Sequence, residues 1–332
     1  MNWRTGLFGS LVPSLAVLLA LTVARILYPA SSQLVFLLAF YVALGSAFNL
    51  FTGLSGYVCF GYSAFVAMGS YGMALAFRAL GGSGWTPSVP LVVAEGLAYG
   101  VALAALLAIV VGGVALRLRE VYFAIATLGL SRAIRFFIEG TGIWGGSEGI
   151  LLTRHIIDSY GYGLLPALSI DLPDYMTLAL AAITAVISYV TIRSRMGYAL
   201  FAIREDEDVA AVMGVNTTLY KVLAFVLSAT LAGLLGSAKV LKDQAVYPAD
   251  AFALIYTIEA IIVTLIGGSG TLLGPVLGGI LYGALKYFLT TSFPGLQLLI
   301  LAPLMIVIVV SFPYGILGWL RRRYKSLRAL LI

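Results

Sequence analysis

The chain of 332 residues is 61% hydrophobic and only 10% charged, against about 25% charged in a soluble globular domain, so it cannot clothe a water-soluble fold of this size. Cys59 is the single cysteine and His155 the single histidine, which excludes a disulfide framework and a soft-ligand metal cluster. The net charge of +6 gathers at the ends of apolar runs, where it orients a membrane protein and does not mark a nucleic-acid partner.

Crossing about 30 Å of hydrocarbon takes about 20 apolar residues. Such runs fall in chain order at about Leu7 to Leu27, Ser32 to Phe51, Phe60 to Leu80, Val89 to Leu116 and Val121 to Ile138. They continue at Tyr175 to Ile192, Tyr220 to Leu241, Ala251 to Ile266, Leu273 to Leu289 and Leu296 to Phe312. The first run follows Arg4 as a signal sequence would, but no A-x-A-like cleavage site stands out after it, so it is read as a span. The fold class predicted is all-α: a single polytopic membrane bundle, 1–332, of about ten spans.

Charge sets the expected orientation. Arg321, Arg322, Arg323, Lys325 and Arg328 form a basic tail at 319–332, and Arg193, Arg195, Arg204 and Lys221 lie around the polar link after the sixth run. An even number of spans separates them, so both face the cytoplasm, with Arg4, Arg117 and Arg119 on the same side. Both termini are then cytoplasmic. The opposite side receives scattered cations such as Arg25, Arg78, Arg154 and Lys242, and an extracytoplasmic loop, 141–173, expected to be the longest non-helical segment. That loop either caps the bundle or meets a solute-delivery partner.

Glycine is dense near the ends and middles of spans, where small residues let helix backbones approach closely. Gly53-Leu54-Ser55-Gly56 and Gly267-Gly268-Ser269-Gly270 each follow a run directed from outside to inside, a hint of an internal repeat. Broken helix at membrane depth is tolerated only where protein buries it or an aqueous cavity borders it, so both stretches are candidates for the permeation path.

No phosphate-cradling G-x-x-x-x-G-K-[ST] loop and no Ser/His/Asp or Cys/His set occurs, so the chain is read as a non-enzyme without a cofactor of its own. The most informative polar segment is the link at 194–216. Glu205, Asp206, Glu207 and Asp208 suit a helix N-terminus, and Gly214 suits its C-terminal stop after Ala210, Ala211, Val212 and Met213. This short helix between spans six and seven carries an apolar face of Val209, Val212 and Met213, which packs either on the bundle or on another protein.

The run SRMGYALFAIREDEDVAAVMGVNTTLYKVLAFVLSATLAGLLG, Ser194 to Gly236, resembles the cytoplasmic loop and following helix of LivM-type permeases of branched-chain amino acid ABC transporters. The resemblance continues in GLSGYVCFGYSAFVAMGSYGMA (Gly53 to Ala74), LRLREVYFAIATLGLSRAIRF (Leu116 to Phe136), GGSEGI (Gly145 to Ile150), IEAIIVTLIGGSGTLLGPVLGG (Ile258 to Gly279) and FPYGILG (Phe312 to Gly318). It implies a prokaryotic cell-membrane importer: a LivH-like second permease, two cytoplasmic ABC ATPases that bind ATP, and an extracytoplasmic solute-binding protein. It also implies that Glu205 to Gly214 is the coupling helix that docks on an ATPase. Tyr62, in FGYSAF, departs from the family pattern, which has His there. The departure bears on which solute is carried: branched-chain amino acids, or urea, short amides or nucleosides.

Polar residues near the glycine-rich segments are candidates for lining the path: Asn49, Thr52, Ser55, Tyr57, Tyr62, Ser63, Thr127, Glu259 and Ser269. Each is equally suited to hydrogen bonds between helices. Glu259, near the middle of the eighth run, costs about 2.5–3.5 kcal/mol to insert. It is either a solute-facing group, the ion-coupling acid of an autonomous carrier, or a protonated acid bonded to a neighbouring helix. Arg132 and Arg135 are spaced to share a helix face, and Glu139 follows Arg135 by four, which permits an ion pair; the arginines either snorkel to the interface or dock an acidic binding protein.

Overall fold

A computed structural model describes residues 3–80, 88–311 and 315–318. The basic tail at 319–332 lies outside the described residues, as does the start of the FPYGILG motif. In chain order the helices are α1 (Trp3–Leu27), α2 (Ser32–Phe48), α3 (Ser63–Leu80), α4 (Val89–Ala115), α5 (Glu120–Thr141), α6 (Leu152–Tyr160), α7 (Leu172–Arg193), α8 (Arg195–Glu205), α9 (Glu207–Val212), α10 (Thr217–Asp243), α11 (Pro248–Ala251), α12 (Leu254–Gly267), α13 (Leu273–Ser292) and α14 (Gln297–Ser311). Two two-residue strands, β1 (Ile150–Leu151) and β2 (Ala245–Val246), pair antiparallel, Ile150 opposite Val246. The fold is an all-α membrane bundle. Among the described residues seven helical stretches are long and apolar enough to cross a bilayer: Pro29–Gly53, Val89–Ala115, Glu120–Thr141, Tyr162–Arg193, Thr217–Asp243, Pro248–Gly267 and Leu273–Ser292.

The chain divides into two compact units. The first comprises Met1–Gly56, Thr177–Thr217 and Ile258–Ile332; the second comprises Tyr57–Met176 and Thr218–Thr257. In the first unit α2 is apolar around its whole circumference and buried from Leu38 to Phe48, as expected of a helix enclosed by others. Two glycines of α13 make this possible: a Cβ on Gly279 would meet the Val42 backbone, and one on Gly283 would meet Leu38. In the second unit the same device joins α3 to α4 through Gly72 and Gly100, and α3 to α10 through Gly69 and Gly233. Ser237 on α10 donates to Gly69 O at 2.9 Å and Ser70 on α3 donates to Gly236 O at 2.9 Å, fastening that crossing from both sides.

The segment 141–173 is not the non-helical loop expected. α5 stops at Gly142, whose φ of +69° is the left-handed conformation that ends helices. A glycine-rich 3₁₀ stretch, Ile143–Glu148, leads into β1 and then α6. Helix resumes well before Tyr175, passing through a π-helical turn at Ala167–Asp171 into α7. Pro173 is the second residue of α7, just after that turn, where the widened geometry accommodates a residue without a backbone N–H.

Candidate functional site

Two helices of the first unit end in the glycine-rich stretches, and one side chain joins those ends. α2 runs into a π-helical turn, Asn49–Gly53, and Asn49 is buried. Its Oδ1 accepts from Gly270 N at 2.8 Å and its Nδ2 donates to Thr271 O at 2.9 Å, so both ends of the amide serve the backbone that follows α12. Gly268 and Gly270 have φ of +120° and +79°, conformations that side chains disfavour. Thr271 completes the turn, donating to Gly268 O at 2.7 Å and accepting from Gly274 N at 3.1 Å at the start of α13. The two stretches paired in the sequence by likeness therefore meet.

Arg204, near the end of α8, closes this corner. Its Nη1 donates to Gly53 O at 2.6 Å, a carbonyl that has run out of helical partners. Ser55 donates to Phe51 O at 2.7 Å, and Ser269 is half-buried. The hydroxyls of Ser46 and Thr52 are buried and have no hydrogen-bond partner among the described residues.

α8 and α9 form the link after α7. Asp206 is shared between them: it ends α8, and its Oδ1 accepts from Val209 N at 3.0 Å to cap α9. The four acids therefore do not open one helix. Glu205 is the last residue of α8, and only Glu207 and Asp208 occupy the first turn of α9, because the extended backbone at Asp206 (φ −163°, ψ 113°) breaks the run. Gly214 ends the segment at φ +87° and donates to Ala211 O at 3.0 Å, with Val215 N donating to Ala210 O at 3.1 Å. Ala210 is buried, whereas Val209, Val212 and Met213 are 57%, 86% and 80% exposed. Among the described residues the apolar face is thus uncovered.

Glu259 on α12 is buried and belongs to a cluster of four whose cation, Lys286, is half-buried. Its Oε1 accepts from Lys286 Nζ at 2.6 Å and Tyr282 OH at 3.0 Å, both on α13, and its Oε2 accepts from Tyr41 OH of α2 at 2.9 Å. Lys286 also donates to Tyr41 OH at 2.5 Å. Sequence reasoning weighed the acid without its base. The signal was a lysine within the ninth apolar run, since a charge at membrane depth calls for a partner.

The remaining candidates lie in the second unit and serve helix contacts there. Tyr62 OH reaches Ser228 O at 3.2 Å on α10. Ser63 N donates to Thr257 Oγ1 at 3.0 Å, and Ser63 Oγ to Phe252 O at 3.3 Å. Thr127 donates to Ala124 O within α5. Tyr57 OH accepts from Lys221 Nζ at 3.3 Å, and the same ammonium donates to Leu116 O at 3.2 Å. Lys221 is thus a buried residue that caps the carbonyl end of α4, where the helix dipole favours a cation; it was read from sequence only as part of the basic link. Arg135 and Glu139 pair at 2.8 Å as their spacing allows.

The sequence model for the permease component of branched-chain amino acid transport systems matches residues 30–309. The chain belongs to this family. It is 28% identical to the high-affinity branched-chain amino acid transport system permease protein LivM of Salmonella typhimurium, over 96% of this chain and 78% of that one. LivM of Escherichia coli K12 is 27% identical over the same shares. The high-affinity branched-chain amino acid transport system permease protein LivH of Salmonella typhimurium is 31% identical over 42% of this chain and 44% of its own. No solved structure matches. Within the branched-chain permease family, the chain resembles LivM along nearly its whole length and LivH over less than half.

Proposed function

We propose that this chain is one of two permease subunits through which an ABC importer passes branched-chain amino acids across a prokaryotic cell membrane. About ten spans carry it across the bilayer, both termini are cytoplasmic, and 141–173 lies on the outer side. A LivH-like permease completes the conduit, two cytoplasmic ATPases bind and hydrolyse ATP, and an extracytoplasmic binding protein delivers solute. α9, the Glu207–Val212 helix, is the coupling helix.

One observation carries the mechanical part of this reading. α9, capped by Asp206, leaves Val209, Val212 and Met213 exposed, and α8, which shares that cap, reaches Gly53 at the end of α2 through Arg204. An ATPase that grips α9 therefore has a connected route to the glycine-rich ends of α2 and α12. Motion needs such a discrete mechanical element, since an energy input acts only by biasing one arrangement over another.

The rival is a secondary carrier coupled to an ion through Glu259. The Lys286 ammonium and two tyrosine hydroxyls already occupy that carboxylate, which suits a structural pin better than a site that must bind and release a cation. Reconstitution separates the two. Liposomes holding both permeases, the ATPases and the binding protein should accumulate leucine only with ATP inside the compartment that the ATPases face. Accumulation by this chain alone, driven by a proton or sodium gradient, would overturn the proposal.

A further inference from the structure

The second unit holds a pocket of about 470 Å³ beside the end of α10, within the roughly 300–1,000 Å³ range of small-molecule sites. α10 is 27 residues long, so this end lies about 40 Å from its first turn, close to the full thickness of a bilayer with its headgroups. Val66 and Ser70, at the close α3–α10 crossing, line the pocket. Ala245 and Val246 of β2 also line it, just after Gln244, whose φ of +60° is uncommon for any residue but glycine.

The lining has two chemical faces. One is polar: Lys239 pairs with Asp243 one turn along α10 and lies over the Tyr256 ring, 5.0 Å from its centroid. Asp250 on α11 also borders the pocket and is exposed, with no ion-pair partner among the described residues. The other face is branched and aliphatic, from Val66, Val246 and Ile255. None of these residues was singled out from sequence.

We propose that this pocket binds an α-amino acid with a branched apolar side chain, its ammonium on Asp250 and Asp243 and its carboxylate on Lys239. An ammonium ligand meets an acid that otherwise lacks a cation. The Lys239 ammonium has three N–H donors; Asp243 and the Tyr256 hydroxyl take two of them, which leaves one for a ligand carboxylate. The Tyr256 ring adds an electron-rich face beside the charges, and the aliphatic wall takes the side chain. Both charged groups of the ligand are thereby recognised, so an analogue lacking either one binds worse. The assignment rests on the reading of the chain as an amino-acid permease.

Equilibrium binding of labelled L-leucine to the purified permease–ATPase complex, without its binding protein, tests the pocket. Saturable binding is expected, displaced by L-valine but not by 4-methylpentanoate, which lacks the ammonium, or by 3-methylbutylamine, which lacks the carboxylate. Lys239→Met and Asp250→Asn should each weaken it at least tenfold. Asp250 is exposed and, among the described residues, outside any ion pair, so its variant remains informative if Lys239→Met fails to assemble. Absence of saturable binding, equal displacement by the singly charged analogues, or unchanged affinity in Asp250→Asn would overturn the pocket. ATP-driven leucine uptake by the wild-type complex is measured alongside. Uptake that neither substitution alters sinks the pocket alone, whereas no uptake of any branched-chain amino acid sinks the permease reading beneath it.

Discussion

Arg204 Nη1 donates to Gly53 O at 2.6 Å across 151 positions of sequence. The guanidinium comes from the helix that abuts α9, and the carbonyl terminates the π-helical turn after α2. A charge-assisted hydrogen bond to an otherwise unmet helix-end carbonyl contributes about 1.5–3 kcal/mol, enough to tie the movement of one element to the other.

Arg204→Gln should therefore loosen coupling more than folding. ATP hydrolysis by the assembled complex is expected to persist while leucine accumulated per ATP falls about tenfold or more, since about 1.4 kcal/mol corresponds to one decade. Equal loss of hydrolysis and uptake, with reduced yield of complex, would instead make Arg204 a folding residue.

Asn49→Leu removes a buried amide that serves two backbone groups, Gly270 N and Thr271 O. Leaving such groups unmet costs about 1–3 kcal/mol each. Thermal unfolding of the purified complex should begin several degrees lower, and hydrogen exchange should rise first at 268–271. Unaltered exchange there would show that the amide does not hold the turn.

The Glu259–Lys286 pair predicts non-additive damage. Removing one partner of a buried ion pair typically costs about 3–5 kcal/mol, whereas replacing both by apolar groups is often close to neutral. Glu259→Leu and Lys286→Met should each reduce the yield of folded protein, and the double variant should recover much of it. Additive losses would mean that the two side chains act separately.

His155, on α6, has its pKa lowered from the usual 6.5, first by partial burial and then by the positive charge of Arg78. A folded-state value below the unfolded one means that the unfolded chain binds the proton more readily. The stability of this segment is thus undiminished above about pH 6.5 and declines as pH falls from there through the folded value. Because the chain has one histidine, a single labelled imidazole signal reports it. Its midpoint should lie below 6.5 and rise in Arg78→Gln; a midpoint at or above 6.5 contradicts the electrostatic reading.

The apolar helices were legible because lipid imposes a length that composition alone reveals. Val89 to Leu116 anticipates α4, and Leu273 to Leu289 falls within α13. What escaped is whatever depends on partners far apart in sequence. Ile150 is held by Val246, and no local pattern announces a two-residue strand. The segment 141–173 was expected to be non-helical because a π turn such as Ala167–Asp171 cannot be read from residue types. Asn49 was singled out as a polar residue beside glycines, but its role follows from Gly270, 221 positions away. Lys286 and Lys221 were visible as letters, yet their meaning lies in the carboxylate of Glu259 and the carbonyl of Leu116.

Replacing Val209, Val212 and Met213 together by aspartate tests the central claim most directly, because these exposed positions lie outside the chain's own core. Burying such side chains against a partner contributes about 1.5–3 kcal/mol each, and charge there reverses the effect. The account predicts that the permease pair still forms in the membrane, that the ATPases no longer co-purify with it, and that leucine accumulation stops. ATPases still bound and leucine still accumulating at the wild-type rate would contradict it.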